Sequence, residues 1–363
     1  MLPRHNILKA SLPMRRNKIF SVALILVIAA CGNSGSRDVQ SAVASDKNPG
    51  VLVHPLSGRN ASPSAVLAVK IDDTEPAHPQ IGLASADVVY VELVEGGLTR
   101  LAAIFSSEIP TQIGPVRSAR ISDIDLLAPY GRVAFAYSGA QTKLLPVIGE
   151  ANVINLGAQR ESPKIYYRDE TRNAPVNLIL DPVALLAKAE GVVSAQSVGW
   201  HFGTLPAGGE TLTSVEMHWP ASWYLATWSV SEKRWLLSHD GDPDLDSLGT
   251  QLGASTLVVQ FVDIHPSEYG DKRGGNTPKS ESIGVGDALV LRDGRVFRVT
   301  WSRPDMASGT TFTLPNGKEM LFAPGQVWIW LADRNKSAKL LPDRTTPVLS
   351  TPNSAAPTPP PSK

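Results

Sequence analysis

Asp87-Val-Val-Tyr-Val-Glu-Leu-Val-Glu95 and Leu98-Thr-Arg-Leu-Ala-Ala-Ile-Phe-Ser-Ser107 are two β-prone runs with only Gly96-Gly97 between them. Branched and aromatic side chains fit a pleated, half-buried surface. A primed two-residue turn needs positive φ, which glycine adopts without strain. The stretch therefore reads as a β-hairpin. Outward from it, Val66-Leu-Ala-Val-Lys-Ile71 and Val133-Ala-Phe-Ala-Tyr137 read as buried strands. Between and after them lie three short helical patterns. The first, Ser122 to Tyr130, opens on a Ser or Asp cap and closes near Pro129. The second spans Lys143 to Gly149. The third has Asp181 as N-cap, Pro182 in its first turn and Gly191 at its end.

From about Val198 the pattern changes to short alternating segments. Tryptophans punctuate them, as in Ser222-Trp-Tyr-Leu-Ala-Thr-Trp-Ser-Val230. Thr256 to Asp263 and Val327 to Leu331 are further strands, and Asp293-Gly294 joins Ala288–Arg292 to Arg295–Trp301 as a second hairpin. The fold class expected is α+β. A mixed α/β N-terminal domain over 51–195 precedes a β-rich, mostly antiparallel C-terminal domain over 196–333. Tryptophan in β units serves mainly as core, with sugar stacking as the alternative.

The ends have a different chemistry. Arg15, Arg16 and Lys18 lead into the apolar run Ile19–Ala30, and then comes Cys31, the single cysteine of the chain. A membrane-spanning helix needs roughly twenty apolar residues, so this shorter run fits the core of an export signal over 1–30. Ile28-Ala-Ala-Cys31 resembles a bacterial lipobox. That resemblance implies a diacylated Cys31, palmitate-type chains, and a mature protein held on the extracytoplasmic face of the cell membrane. Two acyl chains satisfy the need for a double anchoring signal. The small polar residues of 31–50 then form a leash spanning about 25 Å. The proline-rich stretch 334–363 reads as a disordered tail.

Composition narrows the functional classes. Lys plus Arg and Asp plus Glu are 34 each, so the net charge is zero. A general nucleic-acid binder would carry a basic excess. One cysteine permits neither an intramolecular disulfide nor a cysteine-based metal site. The seven histidines show no ligand spacing such as His-Glu-x-x-His. No cofactor motif, P-loop or nucleophile elbow is present, and no metal site is expected. The acidic stretch His239-Asp-Gly-Asp-Pro-Asp-Leu-Asp246 lacks the offsets of a calcium loop and reads as a solvated turn.

Three segments carry more charge than their apolar setting predicts: Lys70-Ile-Asp72-Asp73, Glu92-Leu-Val-Glu95-Gly-Gly-Leu-Thr-Arg100, and Gly114-Pro-Val-Arg117-Ser118-Ala-Arg120. Together with Tyr167-Arg-Asp169 and Arg172-Asn-Ala-Pro-Val-Asn177, and with the later GVGDALVLRDGRVFRVTW and APGQVWI strings, they resemble the YerB-like lipoprotein family. The family is built of N- and C-terminal domains of unknown function, and the resemblance spans about 52–332. Val176 stands where the family pattern has a histidine. Guanidinium groups give planar, bidentate bonds to carboxylate or phosphate. Arg100, Arg117, Ser118, Arg120, Arg172 and Asn177 are therefore the candidate ligand-binding set. Their candidate ligands are peptidoglycan stem-peptide carboxylates, anionic polymer phosphates or an acidic envelope protein. The alternative enzyme reading is a cell-wall hydrolase using Asp72 with Glu92 or Glu95. A third reading is an envelope scaffold whose charges pair with one another.

Overall fold

The computed structural model describes residues 52–270 and 274–342. The signal, Cys31 and the leash, like the residues after 342, lie outside the described residues. The described residues cluster as one compact unit. Strands dominate it, and its α-helices are short: Ser122–Leu127, Leu144–Glu150 and Pro182–Leu186.

A large sheet carries the fold. Its strand order is Thr311–Thr313, Arg295–Arg303, Gly284–Arg292, Thr256–Gly270, Val327–Asp333, Val88–Leu93, Thr99–Phe105, Leu67–Asp72, Val133–Ala136 and Val153–Asn155. The Val327–Asp333 strand runs parallel to both neighbours, Thr256–Gly270 and Val88–Leu93, so strands from the two halves of the sequence share one sheet. Its residues alternate between two apolar clusters. Trp328, Trp330 and Ala332 enter one, and Val327, Ile329 and Leu331 enter the other. A strand buried on both faces reads as a continuous apolar run, which is what Val-Trp-Ile-Trp-Leu supplies. A smaller sheet, with Ser214–Trp219, Ser222–Ser229 and Arg234–His239 at its centre, contributes Met217, Tyr224 and Trp235 to the Trp328 side. The opposite cluster contains Leu126 and Leu127 of the first helix, with Trp200 and Trp301.

The hairpin of the opening motif forms in register Val88↔Ile104 to Leu93↔Thr99. Its turn is wider than the two glycines alone. Val94 to Leu98 close it through a Val94 N–H to Leu98 carbonyl bond, with Gly96 and Gly97 both at positive φ. The Asp293-Gly294 hairpin is the tight primed turn expected, with φ of 49° and 69°. Asp181 caps its helix by accepting from the Ala184 N–H at 2.9 Å. The first helix departs from expectation, because no side chain caps it. Its Ser122 hydroxyl instead accepts the Ser280 N–H, and Asp123 takes the Arg120 N–H at 2.6 Å.

Because one sheet holds strands from both halves, urea unfolding followed by tryptophan fluorescence should show a single cooperative transition. Ile329→Ala should move that whole transition, at a cost of about 2–5 kcal/mol. Two separable transitions, with only one displaced, would contradict the shared core.

Candidate functional site

Strand pairing builds the charged motif. Glu92, Arg100 and Asp72 are directly opposite one another on three adjacent strands, Val88–Leu93, Thr99–Phe105 and Leu67–Asp72. Lys70 lies two residues before Asp72, so the pleat turns it to the same face. The Ser122–Leu127 helix brings Asp123 to this face. Lys70 is wholly buried and donates to Glu92 and, at 2.8 Å, to Asp123. Asp72, also wholly buried, is ion-paired with Arg117 Nε at 2.7 Å and Arg100 Nη1 at 3.3 Å. At the turn, Arg120 grips Glu95 through Nε and Nη2 at 2.9 and 2.8 Å, while Thr277 donates to the same carboxylate.

One ammonium cannot fully offset two buried carboxylates. Burial pushes the Glu92 carboxyl up to about 7 against the pull of Lys70, and the Asp123 charge raises it further. Glu95 moves the other way. Burial would raise it, but Arg120 and the Thr277 hydroxyl hold it below its usual value.

The candidate residues thus fall into distinct settings. Asp72, Glu92 and Glu95 are each held by cations, and the first two are wholly buried. Arg100 is buried and spends Nη1 on Asp72 and the Thr99 carbonyl. Arg172 donates to the Ala77 and Pro79 carbonyls, fastening the loop before Gln80. Ser118 lies 3.4 Å from the Ser138 hydroxyl. Asn177 accepts from Arg168 at 2.6 Å. Val176, at the position of the family histidine, is buried as an apolar side chain.

Arg117 differs from the other arginines. Nε is ion-paired with Asp72 Oδ2 at 2.7 Å, without the alignment of a hydrogen bond, while its Nη groups have no hydrogen-bond or ion-pair partner among the described residues. It lines a cleft of about 340 Å³ with Ser138, Gln159, Tyr166 and Arg168. Glu161 also borders this cleft, with its carboxylate on Lys188 at 2.7 Å. Arg120, Ser118 and Glu95 border a second cleft of about 240 Å³.

A cluster that sequence spacing missed lies on the opposite face of the sheet. Asp73, His78, His239 and Asp244 come together there, although His78 and Asp244 are 166 residues apart. The expectation of a solvated turn at 239–246 is corrected in part: 240–243 and Leu245 are exposed, but His239, Asp244 and Asp246 are buried. The sequence held one local hint, two acidic residues followed closely by a histidine in Asp72-Asp73-Thr-Glu-Pro-Ala-His78. Its partners could not be read from spacing.

Comparison with known proteins bears on the whole body. Two family models match: "Protein of unknown function (DUF3048) N-terminal domain" over 55–194 and "DUF3048 C-terminal domain" over 215–329. A relative from Bacillus subtilis (strain 168), named "Putative lipoprotein YerB", is 26% identical over 292 residues, covering 77% of this chain and 85% of the relative. The crystal structure of the YerB protein from Bacillus subtilis superposes with a TM-score of 0.68 at 22% identity. It covers 80% of this chain and 99% of its own, which shows a shared fold.

Two outcomes follow from the buried charges. Lys70→Met leaves Glu92 and Asp123 without their cation and should cost about 3–5 kcal/mol in chemical denaturation. For Glu92 the sign runs towards acid. The folded carboxyl, near 7, binds its proton more tightly than the unfolded one, near 4.5. Its contribution is therefore present below that window and is lost as pH rises through it. Glu92→Gln should flatten that decline when urea midpoints on either side of the window are compared.

Proposed function

The chain belongs to the DUF3048 family, and from that premise we propose that it is an extracytoplasmic lipoprotein, anchored through Cys31, that binds an anionic envelope ligand without turning it over. The observation that carries this reading is the division of Arg117. Its Nε is ion-paired at 2.7 Å with a wholly buried carboxylate, and the residue lines an open cleft together with Arg168. A guanidinium fixed at one edge keeps its Nη donors in place for a carboxylate or phosphate, so little ordering entropy opposes binding. The fitting ligands are stem-peptide carboxylates of peptidoglycan, phosphates of a wall polymer, or an acidic loop of an envelope protein. The name of the Bacillus subtilis relative supports the anchor.

A second reading, the scaffold, has its own support: Arg100 and Arg120 are occupied by Asp72 and Glu95. The hydrolase reading has less, because Asp72 and Glu92 are buried in separate ion pairs.

Co-sedimentation with cell-wall sacculi, intact or stripped of phosphate polymers, separates these readings. The double variant Arg117→Gln/Arg168→Gln should bind at least about tenfold more weakly, the size of one lost charge-assisted hydrogen bond. Arg168→Gln alone, at an exposed position, should weaken binding with its melting temperature nearly unchanged, whereas Arg117→Gln also takes a cation from buried Asp72 and should lower it. Wild-type protein that binds neither preparation, or a variant that binds equally well, favours the scaffold. Loss of binding on stripped sacculi alone points to polymer phosphate. For the anchor, Cys31→Ala should shift the chain from the membrane fraction to a soluble or unprocessed form. A processed variant still in the membrane fraction would rule out lipidation at this position.

A further inference from the structure

The polar cluster opposite the arginine face gathers the donors of a metal site, with the His78 and His239 rings stacked 4.6 Å apart. His78 Nε2 lies 3.6 Å from Asp73 Oδ1, and His239 Nε2 lies 3.8 Å from Asp73 Oδ2. One donor atom from each of the three residues falls within 4.8 Å of the other two. Both separations are too long for good hydrogen bonds. Metal bonds of about 2.0–2.1 Å place neighbouring tetrahedral donors about 3.3–3.4 Å apart, so loading the site needs only a short contraction, with one Asp73 oxygen shared and the stacked histidine rings turned towards a common point.

Three further features point into the same space. Gln80 is wholly buried, and its amide nitrogen sits 3.2 Å from His78 Nε2 and 3.4 Å from Asp73 Oδ1. Its Oε1 has no partner. Amide oxygen and nitrogen are assigned from their network, and turning this amide over puts an oxygen at ligand spacing from both residues. Next, His78 Nδ1 lies 3.0 Å from Asp244 Oδ1. A carboxylate receiving the Nδ1 proton of a histidine leaves the Nε2 lone pair free and aims the ring, the usual outer partner of a ligating histidine. Finally, Asp73 and Asp244 are both buried, and Asp244 Oδ2 has no hydrogen-bond partner. A dication between two neutral imidazoles would cancel both charges.

We propose that Asp73, His78 and His239, with the Gln80 amide oxygen as fourth ligand, bind one divalent first-row transition ion of the zinc class. Two imidazoles with carboxylate and amide oxygen suit such an ion. The Ser222 hydroxyl, 2.9 Å from His239 Nε2, gives up that contact and turns to Thr99 Oγ1 at 3.1 Å. Tyr224 at 2.8 Å and Thr99 at 2.5 Å continue to hold the Asp73 oxygens. His78 is the one partly exposed ligand, with 18% of its side chain accessible, and is the route of entry. With four protein ligands the site is closed, which makes it a structural clip. It fastens the Asp73–Gln80 segment to the small sheet carrying Tyr224 and His239. The rival occupant is a proton on His78, shared between Asp73 and Asp244.

The test uses the full chain, solubilised in detergent, stripped with chelator and titrated with Zn²⁺ by calorimetry and with Co²⁺ by absorption. One equivalent of each ion should bind, and Co²⁺ should give the intense visible bands of tetrahedral coordination. His239→Gln should lower Zn²⁺ affinity by more than the roughly 10- to 100-fold expected for the outer-shell change Asp244→Asn. His201, His218 and His265 each pair with a surface glutamate and could hold zinc adventitiously. The triple variant replacing all three with glutamine should keep the single equivalent. No binding by wild-type protein overturns the site, as does binding that survives His239→Gln but disappears in the triple variant. If His239→Gln does not fold in chelator, the wild-type Co²⁺ spectrum decides: weak octahedral bands overturn the site and intense tetrahedral bands uphold it.

Discussion

The Val327–Asp333 strand is the constraint on which the rest of the structure depends. It is parallel to a strand from each half of the chain, and its side chains feed apolar clusters on both faces of the large sheet. Once it is in place, the register of the Val88–Leu93 and Thr99–Phe105 hairpin is fixed relative to the C-terminal strands. A one-residue slip would exchange the two faces. It would put Tyr90 where Val91 packs and Glu92 into an apolar layer.

That alternation also sorts the polar residues at the strand ends. Asp72 and Arg100 point to the face covered by the Ser122–Leu127 helix, whereas their neighbours Asp73 and Thr99 interact on the other face, with Tyr224 of the small sheet. Adjacent residues in each strand thus belong to polar clusters on opposite faces. On the helix side, Lys70, Arg100, Arg117 and Arg120 stand against Asp72, Glu92, Glu95 and Asp123. Replacing a buried ion pair with apolar residues is often neutral or stabilising, so stability alone does not account for this belt. Its geometry accounts for more: the carboxylates hold cations from different segments, and Asp72 places Arg117.

Local signals made much of this readable in sequence. Asp293-Gly294 required positive φ and has it, Asp181 with Pro182 started a helix, and Leu67–Asp72 announced itself by its apolar run. What failed depended on partners distant in the chain. The charges at Lys70 and Glu92 were visible, but their complete burial was not, because it comes from Asp123 on a helix about fifty residues away in sequence. Ser122 looked like a cap, yet its hydroxyl is taken by the Ser280 backbone, 158 residues along. His78 and His239 had no spacing pattern because metal-motif spacings describe ligands on one local element, and these two come from opposite halves of the chain.

The pairing of an arginine with a carboxylate does not by itself decide between structural and binding roles. A guanidinium has five N–H donors in a rigid fork, and one carboxylate engages only part of them. Arg120 uses Nε and Nη2 on Glu95 and Nη1 on the Ser118 and Ala119 carbonyls, so its fork is filled from within the protein. Arg172 is similarly committed to Ala77, Pro79 and Asp169. Arg117 commits one edge and leaves the other beside Arg168, whose own contact with Asn177 is at the surface. Arg117 and Arg168 border the same cleft, Arg168 from its exposed rim. Asp72 is too deeply buried to serve Arg168 as well, and Glu161 is taken up by Lys188. Of the motif's arginines, Arg100 has a buried Nε without a hydrogen-bond partner, whereas the Nη groups of Arg117, which lines the cleft, have no partner among the described residues.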